Sequence, residues 1–139
     1  MSYDLHRLVL DGCPPSLNRV GGQGNWRRWY QAKKLWQNKL VAELILADLP
    51  VWFPAVTASA QLRYPTNRRR DSDNHSALLA KALGDALQAG EWLDDDTPQH
   101  YCFEPVCFRH ERGAPEQTTV LLIEGVQPSM FEGAWDDTV

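Results

Sequence analysis

The spacing of apolar residues predicts alternating strands and helices along most of the chain. A three- and four-residue spacing recurs from Trp26 to about Asp48 and again up to Ala89, as in amphipathic helices. A two-residue alternation, clearest from Ala55 to Leu62, is typical of half-buried strands. The predicted strands are residues 3–10, 55–62, 97–109 and 118–124, and the predicted helices are residues 26–48 and 73 (or 76) to 89.

The order of these elements, β-α-β-α-β-β, predicts an α+β fold in which a mixed sheet carries both helices on one face. The last two strands are expected to form a hairpin across residues 111–115. Gly84 lies inside the second helix at a cost of about 1 kcal/mol relative to alanine, which suggests that another backbone passes close to it. Residues 126–139 are rich in glycine, proline and acids, so we expect one domain over residues 1–125 and a flexible acidic tail.

The composition is typical of a packed globular protein. Of the 139 residues, 43% are hydrophobic and six are tryptophans, which is enough for one core. No signal peptide is predicted, because Asp4, His6 and Arg7 interrupt the start of the chain. The longest apolar region, residues 40–56, contains acids and prolines and is not expected to cross a membrane. We therefore expect a cytoplasmic protein without a membrane partner.

The three cysteines allow two interpretations. Their number and irregular spacing favour reduced, packed thiols over a disulfide framework. The alternative is a zinc ion held by His100, Cys102, Cys107 and His110. Cys102 and Cys107 have opposite parity, so a regular strand would point them to opposite faces of the sheet. The parity therefore favours the reduced thiols.

The net charge of −4 conceals two halves of opposite sign. Residues 1–70 contain 11 Lys and Arg against 4 Asp and Glu, whereas residues 71–139 contain 3 against 14. Ordinary solvated surfaces intersperse the two signs, so this division indicates a specialised surface. The overall acidity argues against a protein that coats DNA non-specifically, but it is compatible with a nuclease whose carboxylates bind metal.

The densest charged segment lies between the second predicted strand and the second predicted helix. Three arginines at residues 68–70 precede Asp71 and Asp73, and three aspartates follow at residues 94–96. Mg²⁺ prefers carboxylate oxygens and usually takes one or two from a protein, while arginine forks suit phosphate. The segment therefore predicts a metal-dependent enzyme that acts on nucleic acid. The structural alternative is that Asp73 caps the helix and Asp71 pairs with an arginine, and composition alone does not decide between them.

Four short motifs in order resemble the RusA family of Holliday junction resolvases. They are PPSLN at residues 14–18, RRDSDN at residues 69–74, KALGDAL at residues 81–87 and AGEWLDD at residues 89–95. The resemblance covers residues 5–124 in order and topology, and the specific match is confined to residues 68–96. It implies a RusA-like fold and a Mg²⁺-dependent endodeoxyribonuclease that resolves four-way DNA junctions by paired symmetric nicks, in DNA recombination and repair.

The resemblance also implies roles for individual residues. Asp71, Asp73 and either Asp95 or Asp96 would hold Mg²⁺, with Mn²⁺ as a substitute, and Asp94 would be a flanking acid. Matching the Trp-Leu run selects Asp95, whereas counting from Lys81 without a gap selects Asp96. Lys81 corresponds to the family's catalytic lysine, but it lies eight residues after Asp73 instead of four. Eight residues leave it about 80° around the helix from Asp73.

The reaction expected from these residues is phosphodiester hydrolysis with two metal ions, one activating water and one stabilising the leaving oxygen. Lys81 or an arginine of residues 68–70 would neutralise charge on the phosphoryl oxygens. The products would carry 5′-phosphate and 3′-hydroxyl ends. A junction must be cut twice at equivalent places, so a homodimer that mirrors its two-fold symmetry is expected.

Basic residues elsewhere in the first half predict the DNA-binding surface. Residues 26–34 interleave aromatic and basic side chains, as surfaces that follow a nucleic-acid backbone do. Trp29 and Trp36 have the helical spacing of core residues instead. The residues expected to contact DNA are Arg27, Arg28, Lys33, Lys34, Arg68, Arg69, Arg70 and, in the early turn, Asn18.

Two other functions fit the same residues. One is a nuclease that selects DNA flaps or replication forks, which the sequence does not separate from a junction resolvase. The other is a non-catalytic module that binds branched DNA through its basic half, with the acids in structural roles.

Overall fold

The computed structural model describes residues 5–16 and 26–125, which form five strands and two helices. The predicted α+β class is confirmed, with one strand more than expected. In chain order the elements are β1 (Leu5–Asp11), α1 (Trp26–Leu46), β2 (Val56–Tyr64), α2 (Ser72–Ala89), β3 (Tyr101–Phe103), β4 (Cys107–His110) and β5 (Gln117–Glu124).

The five strands form one mixed sheet around β2. β5 lies between β1 and β2 and is antiparallel to both, while the short strands β3 and β4 pair in parallel with the other edge of β2. Residues 56–60 of β2 are all buried, so this strand is covered on both faces at its start. The polar residues Thr57 and Ser59 therefore lie in the interior and not on a solvated face.

The predicted hairpin is wrong, because β4 and β5 lie on opposite sides of β2 and do not pair with each other. A central strand needs a neighbour on each edge, and the connection through α2 returns the chain parallel to β2 on one edge only. Residues 111–116 then cross the end of β2, where the Glu111 amide donates to the Tyr64 carbonyl at 3.0 Å, and β5 fills the second edge.

The long strand predicted over residues 97–109 is divided into β3 and β4. Pro105 lacks an amide donor and interrupts the ladder, and Val106 turns into the core with its amide donating to Ser76 Oγ at 2.9 Å. The interruption also changes the parity. Cys102 and Cys107 align with Thr57 and Gln61 of β2, so they share one face, contrary to the parity prediction. Four residues along a strand separate them by about 13 Å, too far for one zinc ion.

Both helices pack on the same face of the sheet, as predicted. In β1, β2, β4 and β5 the residues of even number supply the sheet's part of the core, because paired residues in neighbouring strands point to the same side. In β3 the odd-numbered residues face the core, because Tyr101 pairs with Val56 and Phe103 with Ala58. Helix α1 contributes a stripe at the expected spacing, with Trp29 and Ala32 partly buried. The fully buried helix residues of this core are Trp36, Leu40 and Leu44 of α1 and Leu78, Leu79, Ala82, Leu83, Ala86 and Leu87 of α2.

In the part of the chain that is described, neither helix is long and apolar enough to cross a membrane. The predicted acidic tail at residues 126–139 and the predicted DNA contact Asn18 lie outside the described residues.

Candidate functional site

A cleft of about 940 Å³ lies at the connection between the end of β2 and the start of α2. Residues 13–16, which follow β1, form one wall. The other wall is formed by residues 64–66, 68–72, 74 and 75, so Asp71 lines the cleft and Asp73 does not. Residues 14–16 of the first motif and residues 69–72 and 74 of the second thus contribute to one cleft, although more than fifty residues separate them. The remaining lining residue is Glu116, which is exposed and precedes β5. Its position near the arginines was not predicted.

The arginine cluster is partly fixed by its own loop. The Arg70 guanidinium lies 3.6 Å from the centroid of the Tyr64 ring. It also donates to the Thr66 carbonyl at 3.2 Å and to Thr66 Oγ1 at 3.1 Å. Arg70 therefore holds the loop, whereas Arg68 and Arg69 are exposed at the cleft. A fixed loop that presents two exposed guanidinium groups suits a phosphodiester backbone.

Asp71 and Asp73 lie at the start of α2. Asp71 is the N-cap residue, and its Oδ1 accepts a hydrogen bond of 2.9 Å from the Asp73 amide. The capping residue is thus Asp71 and not Asp73, the reverse of the structural alternative considered above. Both side chains belong to exposed residues. Capping uses only Oδ1 of Asp71. The other carboxylate oxygens of Asp71 and Asp73 are ligands of the kind that a hydrated Mg²⁺ ion takes.

An aromatic group in the cleft was not foreseen. Tyr64 Oη lies 3.5 Å from His75 Nδ1, and the His75 ring packs edge-on against Phe108 with 5.3 Å between centroids. Burial lowers the pKa of His75, and the Arg70 charge lowers it further, although Asp71 acts in the opposite direction. A neutral imidazole therefore lines the cleft. No local pattern indicates this group, because its members come from a strand end, a helix start and β4.

A second charged group, which we name the ion-pair chain, consists of Lys33, Asp85, Lys81 and Asp96. Lys33 Nζ lies 2.8 Å from Asp85 Oδ2, and Lys81 Nζ lies 3.1 Å from Asp85 Oδ1 and 3.2 Å from Asp96 Oδ2. Burial raises the pKa of Asp85, but the hydrogen bonds from Lys33 and Lys81 outweigh it and the net shift is downward. Hydrogen bonds to Asp85 and Asp96 raise the pKa of Lys81. Positive and negative side chains thus alternate along these four residues.

The two acidic groups expected to share metal ions lie at different levels of α2. A Cβ on Gly84 would lie 3.3 Å from Asp96 Cβ, so Asp96 sits beside Gly84. Gly84 follows Asp73 by eleven residues, which is about 16 Å along the helix axis. Within residues 5–16 and 26–125, no three His, Cys, Asp or Glu side chains are grouped so that they could hold a metal ion. The set of three carboxylates does not fit one metal centre in this conformation.

The other acids of the 94–96 run are placed differently from Asp96. Asp94 is exposed, and its Oδ1 accepts a hydrogen bond of 3.2 Å from Trp52 Nε1, which agrees with a role in loop geometry. Asp95 is partly buried between them. Lys81 Nζ pairs with Asp85 and Asp96. Lys81 follows Asp73 by eight residues, which is about 12 Å along the helix axis.

The basic surface at the start of α1 is smaller than predicted. Arg27, Arg28 and Lys34 are exposed, as a DNA-binding role requires. Lys33 is only 8% exposed and is paired with Asp85, so its assignment as a direct DNA contact is corrected. The helical spacing that placed Lys33 beside Lys34 does not reveal that α2 supplies a carboxylate there.

No protein-family model matches the chain, and no curated protein matches it either.

Proposed function

We propose that this protein is a Mg²⁺-dependent endodeoxyribonuclease that acts as a homodimer on four-way DNA junctions, like the RusA family that its motifs resemble. The observation that carries the proposal is the cleft, in which Arg68 and Arg69 stand beside Asp71 and face residues 14–16 from another part of the chain. Two of the motifs that suggested the family thereby contribute to one concave, charged surface.

The charges in the cleft suit a phosphodiester of DNA. Arg68 and Arg69 would bind the phosphate oxygens, and Arg70 would keep their loop in place through Tyr64 and Thr66. The exposed basic residues of α1 would bind further phosphates. Such contacts position the DNA without reading its sequence, which is what a junction-selective enzyme needs.

Asp71 and Asp73 are the residues of this site that would hold Mg²⁺. The ion, when bound, supplies water activation and charge stabilisation for phosphodiester hydrolysis. Asp95 or Asp96 would join them only after the Lys81–Asp96 ion pair opens, because that pair keeps Asp96 beside Gly84. The Lys81–Asp96 ion pair can open, because Lys81 is half exposed and water competes for its ammonium group.

A second candidate is a non-catalytic module that binds branched DNA. The observation in its favour is the same separation of about 16 Å between Asp73 and the level of Asp96, together with the neutralisation of Asp96 by Lys81. On this view the acids serve the fold: Asp71 caps α2, and Asp96 ends the ion-pair chain. The basic residues would still bind DNA.

One experiment separates the two candidates. A synthetic immobile four-way junction is incubated with the protein in Mg²⁺ or in EDTA, and nicks are mapped on all four strands. The nuclease proposal expects Mg²⁺-dependent nicks at symmetric positions, with no nicking by Asp73→Asn. This variant should bind the junction as tightly as the wild type or more tightly, because it removes negative charge next to phosphate.

The matched control is Glu124→Gln, which removes an exposed acid at the end of β5. It should nick like the wild type. Junction binding without Mg²⁺-dependent nicking in the wild type would reject the nuclease proposal and favour the binding module. Nicking that Asp73→Asn leaves intact would reject the assignment of this metal site.

A further inference from the structure

We infer that Trp26 and Tyr30, named here the aromatic pair, form a stacking surface for the unpaired bases of single-stranded or branched DNA. The inference rests on the proposed function in assuming a DNA substrate, and it adds to it a means of distinguishing open from fully paired DNA. Neither residue lies in the four motifs that resemble the RusA family, and neither was predicted from the sequence to contact a base.

The two rings are neighbours on one side of α1. Residues four apart on a helix differ by about 40° in direction and have Cβ atoms about 6 Å apart. Trp26 is 67% exposed and Tyr30 is 51% exposed, although both belong to residue types that are usually well covered. The next tryptophans of the same helix, Trp29 and Trp36, pack against the core instead. Of the four aromatic side chains of α1, these two alone are exposed.

Positive charge surrounds the aromatic pair. Arg27 Cζ lies 5.5 Å from the Trp26 ring centroid, and Lys33 Nζ lies 5.1 Å from that of Tyr30. Arg28 and Lys34 are exposed on the same stretch of helix. A purely apolar protein partner would have to desolvate these cations without compensation. Nucleotides match the surface in both respects, since phosphates pair with the cations and base faces stack on the rings.

Only a base face that no neighbouring base covers can stack on such a surface. In a continuous duplex each base face is covered by its neighbours, so the rings would contact little more than the sugar-phosphate edge. At a branch point or in a single strand, a base face is available without unstacking a neighbour. The aromatic pair therefore favours branched or single-stranded DNA over a linear duplex.

The ion-pair chain connects this surface to the acidic residues. Lys33, which lies over the Tyr30 ring, is the first member of the chain that continues through Asp85 and Lys81 to Asp96. A base stacked on Tyr30 would thus lie on the side of the α1–α2 pair that carries the ion-pair chain, and the level of Asp73 is about 16 Å further along α2.

The test measures binding of the double variant Trp26→Ala/Tyr30→Ala to three fluorescent probes at two salt concentrations. The probes are an oligothymidine of about 20 nucleotides, long enough for one binding site, a linear duplex and an immobile four-way junction. Affinity for oligothymidine should fall about tenfold or more, since each stacked base contributes substantially. Affinity for the junction should also fall, while affinity for the duplex should change less than about twofold.

The matched controls separate stacking from charge and from simple loss of apolar surface. Leu35→Ala removes another exposed apolar side chain of α1, on the side opposite Trp26, and should leave all three affinities unchanged. Trp26→Phe/Tyr30→Phe keeps the rings and should retain most of the oligothymidine affinity. Arg28→Ala should weaken all three complexes and reduce their salt dependence.

Two results would overturn the inference: an unchanged affinity of the double alanine variant for oligothymidine, or an equal loss for all three probes. Because the rings are exposed, the variant should keep the wild-type melting temperature, which circular dichroism checks. The proposed function is judged separately by nicking. If the wild type never nicks the junction but the double alanine variant loses oligothymidine binding, the stacking surface is supported and the nuclease proposal is rejected.

Discussion

Lys33 Nζ donates to Asp85 Oδ2 at 2.8 Å across the interface between α1 and α2, with side chains only 10% and 19% exposed. Asp85 also pairs with Lys81, and Lys81 pairs in turn with Asp96. A charged residue in the basic segment of α1 is therefore a structural element of the helix pair. At the other end of the ion-pair chain, the Lys81–Asp96 pair holds the loop with residues 94–96 against α2.

Lys33→Met should destabilise the protein by about 2 kcal/mol. This is less than the roughly 3–5 kcal/mol for breaking a fully buried pair, because Asp85 keeps Lys81. The measurement is the free energy of unfolding in urea. Lys34→Met, which changes an exposed neighbour, should alter it by no more than about 0.5 kcal/mol. Equal effects of the two substitutions would show that the buried pair contributes nothing beyond an exposed charge.

Asp71 allows the capping and metal-binding roles to be separated. Asp71→Ala should cost about 1 kcal/mol of unfolding free energy, because the Asp73 amide loses its acceptor. Asp71→Asn retains a capping oxygen and should stay near the wild type in stability. If Asp71 holds metal, Asp71→Asn nonetheless weakens the response to Mg²⁺, measured as a melting-temperature shift. A variant with full stability and a full Mg²⁺ response would confine Asp71 to capping.

Mg²⁺ should raise the melting temperature relative to EDTA, since an ion that binds only the folded state stabilises it by linkage. A gain of about 1–3 kcal/mol corresponds to free ion at roughly ten to a hundred times its dissociation constant. Scanning calorimetry in millimolar Mg²⁺ and in EDTA measures the shift, and Asp73→Asn should abolish it. Identical melting temperatures for the wild type in both buffers would contradict an occupied carboxylate site.

β3 and the loop with residues 94–96 approach α2 closely at Gly84. A Cβ there would lie 3.1 Å from Tyr101 Cε2 and 3.3 Å from Asp96 Cβ. Gly84→Val should therefore cost about 1–3 kcal/mol through overpacking and displace Asp96 from Lys81. Ala77→Val is the control for valine in an exposed position of the same helix. The prediction is wrong if both substitutions change the urea midpoint equally.

Glu104 gives the stability a dependence on pH. Its Oε1 is buried and, in the described part of the chain, has no hydrogen-bond partner, and burial raises the pKa of this carboxyl. A raised folded-state pKa means that its contribution is fully favourable below the unfolded value near 4.5 and is lost as the pH rises through the folded value. Glu104→Gln should thus gain stability relative to the wild type as the pH rises above 4.5.

The control for this substitution is Glu124→Gln, at an exposed acid of β5. Unfolding free energies of both variants and the wild type are measured at each pH. A difference between Glu104→Gln and the wild type that stays constant with pH would show that the Glu104 carboxyl does not titrate differently in the folded state.

Several features of the fold follow from local patterns and were predicted. The helix boundaries at Trp26 and Ala89 agree with the boundaries that the apolar spacing predicts. Gly84 does mark a close approach, although the neighbour is the Tyr101 ring and the Asp96 side chain and not a passing backbone. These features depend on residues within one or two turns of each other, so periodicity alone is informative.

Other features were beyond local patterns. The break at Pro105 shifted the parity of Cys107, and the choice of neighbours for β2 decided that β4 and β5 do not form a hairpin. Similarly, Lys33 has the sequence context of a surface cation, and only the packing of α2 against α1 buries it beside Asp85. Each outcome depends on a partner remote in sequence.

The amino-acid sequence by itself determined the α+β class, the two amphipathic helices and the concentration of arginine and aspartate at the start of α2, because side-chain period and charge are written into short segments. The tertiary structure decided which charges meet. It brought residues 14–16 to the arginine cluster and placed Asp96 beside Lys81 and Gly84, away from Asp73. The physical reason is that a charged side chain takes the nearest opposite charge that packing brings within reach, and packing is set by the whole sheet.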